Sequence, residues 1–240
     1  MPHFKRLVLF DIDGTLLWPD RAGRDAMKIA LEMLYGTAGP IDSYHFGGFT
    51  DRRTVRVLLE EAGLPAEVIW ERFPRLGPVM AQVMRERLTL ARHHIRPCTG
   101  GPELVAALQA HDDVLLGVLT GNLRETAAIK LEAAGYLPEQ FVIGAFGDLS
   151  ENRADLLNRA VEQARELHGV TFTGQQIVVI GDTPHDITCG RERGARSIAV
   201  LTGWNTRAEL EAYSPNYLFD DLSDTHAVLG AIFDPTNPAG

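Results

Sequence analysis

The sequence predicts an α/β fold: a doubly wound parallel sheet with a small helical domain inserted into it. Three observations predict this. Short, wholly apolar runs recur along the chain, as strands do when helices cover both faces of a parallel sheet. Helical patterns separate those runs, which is the rhythm of a βαβ architecture. Between the first run and the second, however, the stretch 18–94 carries helical patterns and no convincing strand.

Taken in order, the first strand is predicted at 7–10 (Leu-Val-Leu-Phe), and it runs straight into acids. Inside the insert, 22–35 and 52–61 are amphipathic, and 67–90 is a longer helical region interrupted by Pro74 and Pro78. The turn-forming residues from Pro97 to Pro102 mark the return to the sheet and open a helix at 102–110. Then follow a strand at 114–119, a helix at 124–134, a weaker strand at 141–143 and a helix at 153–168. A strand at 177–180, a helix at 185–193, a strand at 197–200 and a weaker strand at 217–219 complete the series. The expected organisation is a core of 1–17 and 95–240 and a helical insert of 18–94. The tail, 234–240, is expected to be loose.

Of the 240 residues, 45% are hydrophobic, enough for a sizeable core. The formal net charge of −9 repels nucleic-acid backbone and anionic membrane surfaces, so neither is an expected partner. No apolar run is long enough to cross a bilayer, and the N-terminal run ends in acids as a signal peptide does not. A cytoplasmic enzyme is the expectation. Cys98 and Cys189 are too few for a disulfide framework or a cysteine zinc site and read as ordinary buried thiols.

Three predicted strands end in polar residues, and ligands of doubly wound sheets bind beyond the carboxyl ends of strands. After the first strand come Asp11, Ile12, Asp13, Gly14 and Thr15. Two carboxylates one residue apart at a strand end are costly unless a cation neutralises them. Such a pair suits phosphoryl transfer, one carboxylate attacking phosphorus while the other handles the leaving-group proton. An Asx turn or helix cap would use the same residues. After the strand at 114–119 come Thr120, Gly121 and Asn122, donors that can greet an anion or simply cap a helix. After the strand at 177–180 come Gly181, Asp182, Thr183, Pro184, His185 and Asp186. Asp182 and Asp186 with Asp11 would suit a hard, oxygen-seeking divalent ion, although Asp186 could instead cap the following helix.

Together these motifs resemble the haloacid dehalogenase-like hydrolase superfamily along the whole chain. The phosphoglycolate phosphatase-like branch, with a helical cap inserted after the first strand of a Rossmann-like core, is the nearest match. The resemblance implies a Mg²⁺-dependent phosphatase acting on a small phosphorylated metabolite, phosphoglycolate-like or a sugar phosphate. Asp11 would be the nucleophile that forms an aspartyl-phosphate, and Asp13 the general acid/base with its main-chain carbonyl on the metal. Thr120, with Gly121 and Asn122, would bind phosphate, and Asp182 and Asp186 would ligate or orient the Mg²⁺. The family's usual lysine is missing where the helix before the last motif opens, and Arg153 stands there as the candidate cation for the phosphate. Lys130, mid-helix, is expected to be solvated. Gly47 to Arg53 resembles the substrate-specificity loop of the cap, making Thr50, Asp51 and Arg53 candidates, although Thr50 or Asp51 would equally serve as an N-cap.

Asp13 argues against a dehalogenase, which lacks that second acid. A phosphonate hydrolase would need a lysine in the cap, and Lys28 falls earlier than the loop expected to face the site. A phosphomutase of the same superfamily and a non-catalytic phosphate-binding module are the alternatives. The adjacent His93 and His94 do not converge on a helix and read as no metal site. Trp18 is expected to pack where the chain leaves the core.

Overall fold

A computed structural model describes residues 4–235. At its centre is a six-stranded sheet in the order β5-β4-β1-β6-β7-β8, every pair parallel. The strands are β1 (Arg6–Phe10), β4 (Val114–Leu119), β5 (Ile143–Ala145), β6 (Ile177–Gly181), β7 (Arg196–Val200) and β8 (Tyr217–Phe219). The apolar composition of β4 and β6, and of β1 after Arg6, follows from burial on both faces. Val8 and Phe10 join one cluster with α5 (Gly101–Gln109), α6 (Arg124–Ala133) and α10 (Thr225–Phe233). Leu7 and Leu9 point the other way into a second cluster with α7 (Arg153–His168). Because β1 has β4 on one side and β6 on the other, the chain reverses its direction of travel across the sheet beside β1. That is where a crevice opens at the carboxyl ends.

The insert leaves the core at β2 (Leu17–Trp18) and returns at β3 (Arg96–Pro97), an antiparallel ribbon of two residues a side. Strands this short carry no periodicity, and the sequence reading missed them. Trp18 packs at this exit as expected, its ring 4.7 Å from that of Trp204. Between the ribbon strands lie α1 (Ala22–Tyr35), α2 (Asp51–Glu61), α3 (Ala66–Arg72) and α4 (Leu76–Thr89). The break in the long helical region falls at residues 73–75, a single 3₁₀ turn containing Pro74. Pro78 does not interrupt α4. It sits in the first turn, where its missing N–H has no intrahelical acceptor to lose. Leu123 and Ile129, at the start and on the face of α6, lie inside the apolar cluster of these four helices, so the insert packs directly on α6.

Three further elements differ from the sequence reading. The helix expected at 185–193 is only α8 (Pro184–Thr188), followed past Gly190 by a 3₁₀ turn at 191–193. A short α9 (Arg207–Glu211) and the C-terminal α10 were not anticipated. The loose tail was expected from 234 onward, of which 236–240 lies outside the described residues. Asp234 is held: its carbonyl accepts from Arg196 Nη2 at 2.5 Å, and its carboxylate accepts from the Tyr217 hydroxyl. No helix among the described residues is long and apolar enough to cross a membrane. Both cysteines are buried, and burial pushes the thiols up, Cys98 to about 11 and Cys189 to about 12, so both stay protonated at neutral pH.

Candidate active site

The carboxyl ends of β1, β4 and β6 bring the sequence motifs to one place. Asp11, Asp182 and Asp186, all buried, each present an oxygen within 4.8 Å of the others. Asp182 is reached because Gly14 turns with φ +85°, a conformation glycine adopts freely, and because a Cβ there would stand 2.5 Å from Asp182 Oδ2. Thr15 donates to Asp182 Oδ1 at 3.2 Å, whereas Oδ2 has no hydrogen-bond partner among the described residues. Asp186 does both things the sequence left open. Its Oδ2 accepts from the main-chain N and the hydroxyl of Thr183, closing a capping box on α8, and its Oδ1 faces the cluster.

Arg153, at the first position of α7, is buried and lies in the middle of these acids. Its Nη2 is 2.8 Å from Asp11 Oδ1 and 2.5 Å from Asp186 Oδ1. The same guanidinium donates to the carbonyl of Leu119 at 3.0 Å and, across to the insert, to that of Gly48 at 3.1 Å. One cation cannot balance three ionised carboxylates. Burial above all pushes Asp11 up to about 6; Arg153 pulls it down, and Asp186 and Asp13 push it up. Asp182 is driven well above the usual carboxylate range by burial and then by the charges of Asp11 and Asp186. Burial opposes the charge on Arg153, but Asp11 and Asp186 outweigh it and keep the group firmly protonated. Two uncompensated negative charges, an all-oxygen donor set and a free buried oxygen on Asp182 fit a divalent cation such as Mg²⁺.

Asp13 points elsewhere. Its carboxylate stands outside the three-acid group, with Oδ2 accepting from Lys130 Nζ at 2.5 Å and from Asn122 Nδ2 at 3.1 Å. Lys130 is the main correction to the sequence reading. Its side chain is 2% exposed and its ammonium also donates to Asn122 Oδ1 at 2.7 Å. The helical position suggested solvent because nothing in the sequence shows that α1 and α4 cover this face of α6. The one available signal was that Lys130 sits between two apolar neighbours, Ile129 and Leu131, both buried.

Thr120 is fully buried, and its Oγ1 accepts from the main-chain N and the Nδ2 of Asn122, which leaves the hydroxyl proton to donate. Asn122 is thus tied to Thr120, Asp13 and Lys130 rather than opening the helix. The N-cap of α6 is Leu123. Gly121 serves the seam with the insert: a Cβ on it would lie 2.3 Å from the Phe49 carbonyl, and its own carbonyl accepts from Asp51 N at 2.7 Å.

Of the three insert candidates, Thr50 is the N-cap of α2, accepting from Arg53 N at 3.3 Å. Asp51 is buried, and its Oδ2 accepts from Leu123 N at 2.8 Å, so it binds the insert to the core. Arg53 lies over the Phe49 ring, 3.9 Å from its centroid. A cavity of about 640 Å³ opens above the acids, and Asp51 is the only one of the three that lines it. The remaining insert wall includes Arg21, Arg24, Met27, residues 42–49 and Met80, while Trp204, Asn205 and Glu209 close the core side. Sequence reasoning missed Arg21, Arg24 and His45 on this wall, for want of a motif around them. His93 is buried at the seam, its Nδ1 2.7 Å from the Asp20 carbonyl.

Comparisons place this geometry among known proteins. The family model described as haloacid dehalogenase-like hydrolase matches residues 8–200. The probable phosphatase IndB of Dickeya dadantii (strain 3937) is 27% identical over 97% of this chain and 99% of its own length. The pyrophosphatase PpaX of Bacillus mycoides (strain KBAB4) is 29% identical over 49% of this chain, a stretch that spans 53% of that relative. The crystal structure of a predicted phosphoglycolate phosphatase from Haemophilus somnus 129pt shares the fold. Its TM-score is 0.65 at 20% identity, covering 95% of this chain and 99% of that one.

Asp51 gives a test of the seam. Burial, the largest influence, lifts its carboxyl from the ordinary 3.8 to about 6, while Lys130 and the Leu123 N–H pull it down. Since the folded value lies above the unfolded one, the folded state binds the extra proton between about pH 4 and 6. This group's contribution to stability therefore falls as pH rises through that window and stays low above it. Asp51→Asn, which keeps the acceptor for Leu123 N, should be stabilised relative to the parent at pH 8, by at most ~3 kcal/mol. The gap should close toward pH 4. Thermal unfolding of both proteins at the two pH values checks this, and a gap independent of pH would refute it.

Proposed function

The chain belongs to the haloacid dehalogenase-like hydrolase family, and on that premise we propose that it is a Mg²⁺-dependent phosphatase that hydrolyses a small phosphomonoester through an aspartyl-phosphate on Asp11. The observation that carries this reading is the unlike surroundings of two aspartates at one strand end. Asp11 lies among buried acids beside Arg153, as a nucleophile approaching an anion requires, whereas Asp13 stands apart beside the cavity, as an acid/base requires.

In this mechanism an Asp11 carboxylate oxygen attacks phosphorus. The bond to the leaving oxygen breaks, and that oxygen takes a proton from Asp13. Asp13 then accepts a proton from water as its oxygen attacks the aspartyl-phosphate and the Asp11 carboxylate is released. Thr120 donates its hydroxyl to a phosphoryl oxygen, with Gly121 and Asn122 shaping the turn, and Arg153 offsets the charge between Asp11 and substrate. Asp11, Asp182 and Asp186, with the Asp13 carbonyl, would hold Mg²⁺. When bound, the ion supplies neutralisation of the acids and polarisation of the phosphoryl group. The insert, residues 18–94, acts as a cap over the acids and sets substrate choice. Thr50 and Arg53 order the start of α2 and the loop before it, Asp51 ties them to the core, and the cavity-lining Arg21, Arg24 and His45 bear on the leaving group.

An assay with an aryl phosphate should show turnover that needs Mg²⁺, is poorly supported by Ca²⁺ and is lost in a folded Asp11→Asn variant. Ca²⁺ takes more ligands at longer distance and would engage both oxygens of the nucleophile. Turnover by Asp11→Asn at the parent rate, or after exhaustive chelation, would sink the assignment.

Arg153→Ala should lower kcat on the order of 10²–10³, the cost of losing a preorganised charge partner. It should also destabilise the fold, because the buried acids lose their cation. Arg153→Lys should recover part of the rate, since one ammonium cannot reproduce a fork shared among Asp11, Asp186, Leu119 and Gly48. Activity of Arg153→Ala within about threefold of the parent, well short of the ~1.4 kcal/mol of a tenfold change, would remove Arg153 from the mechanism.

A further inference from the structure

Lys130 is the one buried lysine and has no role in the mechanism above. Resting on the phosphatase reading, we propose that Lys130 is a positioning residue for Asp13: with Asn122 it holds Oδ2, so that Oδ1 is the oxygen that exchanges the proton with the leaving group and with water.

The geometry is a closed triangle. Lys130 Nζ donates to Asp13 Oδ2 and to Asn122 Oδ1, and Asn122 Nδ2 donates to the same Asp13 Oδ2. Both donors fall on one carboxylate oxygen. The other, Oδ1, is without a hydrogen-bond partner among the described residues. A carboxylate free to rotate about its χ2 would present either oxygen, and a clamped one presents a single oxygen in a fixed direction. Asn122 Nδ2 also donates to Thr120 Oγ1, so the triangle joins the acid/base to the hydroxyl assigned to the phosphate.

The insert keeps room for this ammonium. Gly23 lies in the first turn of α1 with no positive φ, so alanine would suit its backbone better than glycine does. A Cβ at Gly23, however, would stand 2.9 Å from Lys130 Nζ and 3.3 Å from its Cε. The absence of a side chain at Gly23 is explained by the lysine, and the position of Asp13 is thereby coupled to the placement of the cap. In the first chemical step the Asp11–phosphorus bond forms and the phosphorus–leaving-oxygen bond breaks; the leaving oxygen keeps that bond's electron pair and takes the proton from Asp13 Oδ1, which is left as carboxylate. In the second step water gives a proton back to Oδ1.

A phenolate leaves without much help from an acid, whereas an alkoxide does not. The readout is therefore the ratio of kcat/KM on p-nitrophenyl phosphate to that on glycerol phosphate, with Mg²⁺, for the parent and four variants. Positioned proton transfer contributes about 10²–10⁴ to rate, and misaligning the acid should forfeit part of it. Lys130→Met should therefore lose about 30-fold or more on the alkyl phosphate and much less on the aryl one, raising the ratio about tenfold. Gly23→Ala, which displaces the ammonium without removing it and favours the helix, should show the same skew at smaller size and keeps the test open if Lys130→Met folds poorly. Asp13→Asn with Lys130→Met should be no slower than Asp13→Asn alone, because the lysine acts through the aspartate.

An unchanged ratio in both Lys130→Met and Gly23→Ala, or a variant faster than the parent on the alkyl phosphate, overturns the proposal and leaves the phosphatase reading standing. A parent that turns over neither substrate takes down both.

Discussion

Three buried carboxylates share the strand ends with a single guanidinium, and the rest of the site is arranged around that imbalance. Without Arg153 the cluster of Asp11, Asp182 and Asp186 would hold like charges in a poorly solvated crevice with no protein cation among them. With it, the acids stay only partly compensated, and burial together with their mutual repulsion pushes Asp11 up to about 6 and Asp182 well above the usual carboxylate range. A fold does not keep such a cluster for stability, since apolar residues would pack the crevice at lower cost. The unfavourable electrostatics make sense as readiness for two partners of opposite sign, a divalent cation and a phosphoryl group. The guanidinium adds a mechanical duty, because its remaining N–H groups reach the carbonyls of Leu119 in the sheet and Gly48 in the insert.

The sheet was legible because its chemistry is local. A strand buried on both faces has to be apolar throughout, and β4 and β6 fall where such runs lie. The acids at the ends of β1 and β6 were legible for the complementary reason, since a carboxylate delivered by a buried strand has few structural uses. What stayed hidden depends on contacts distant in sequence. The ribbon of β2 and β3 is two residues a side, too short for any period. Lys130 looked solvated because the cover over α6 comes from α1 and α4, about a hundred residues and some fifty residues earlier, and no helical pattern encodes what lands on a helix. Thr50 was legible as an N-cap, which it is, but the sequence could not say that the Asp51 carboxylate reaches across the seam to Leu123 N.

That seam is unusually dependent on main-chain contact. Asp51 N meets the Gly121 carbonyl, Arg52 N meets the Gly147 carbonyl, and the Asp51 carboxylate meets Leu123 N. Bonds of this kind fix distance and angle and are indifferent to most side-chain change. The cavity wall can therefore vary through Arg21, Tyr44 or His45 while the cap keeps its seat over the acids. Division of labour of this sort lets one hydrolase core serve different leaving groups.

Leu123 and Ile129 belong by sequence to the core, yet they fill the apolar interior of the four inserted helices. The insert consequently has no complete interior of its own. A chimera that transplants residues 18–94 from a relative would carry a hydrophobic surface shaped for that relative's α6. It would be left with a void or a clash unless α6 travelled with it. The unit that can be exchanged between family members is discontinuous in the chain, and shuffling at the apparent domain borders would cut through it.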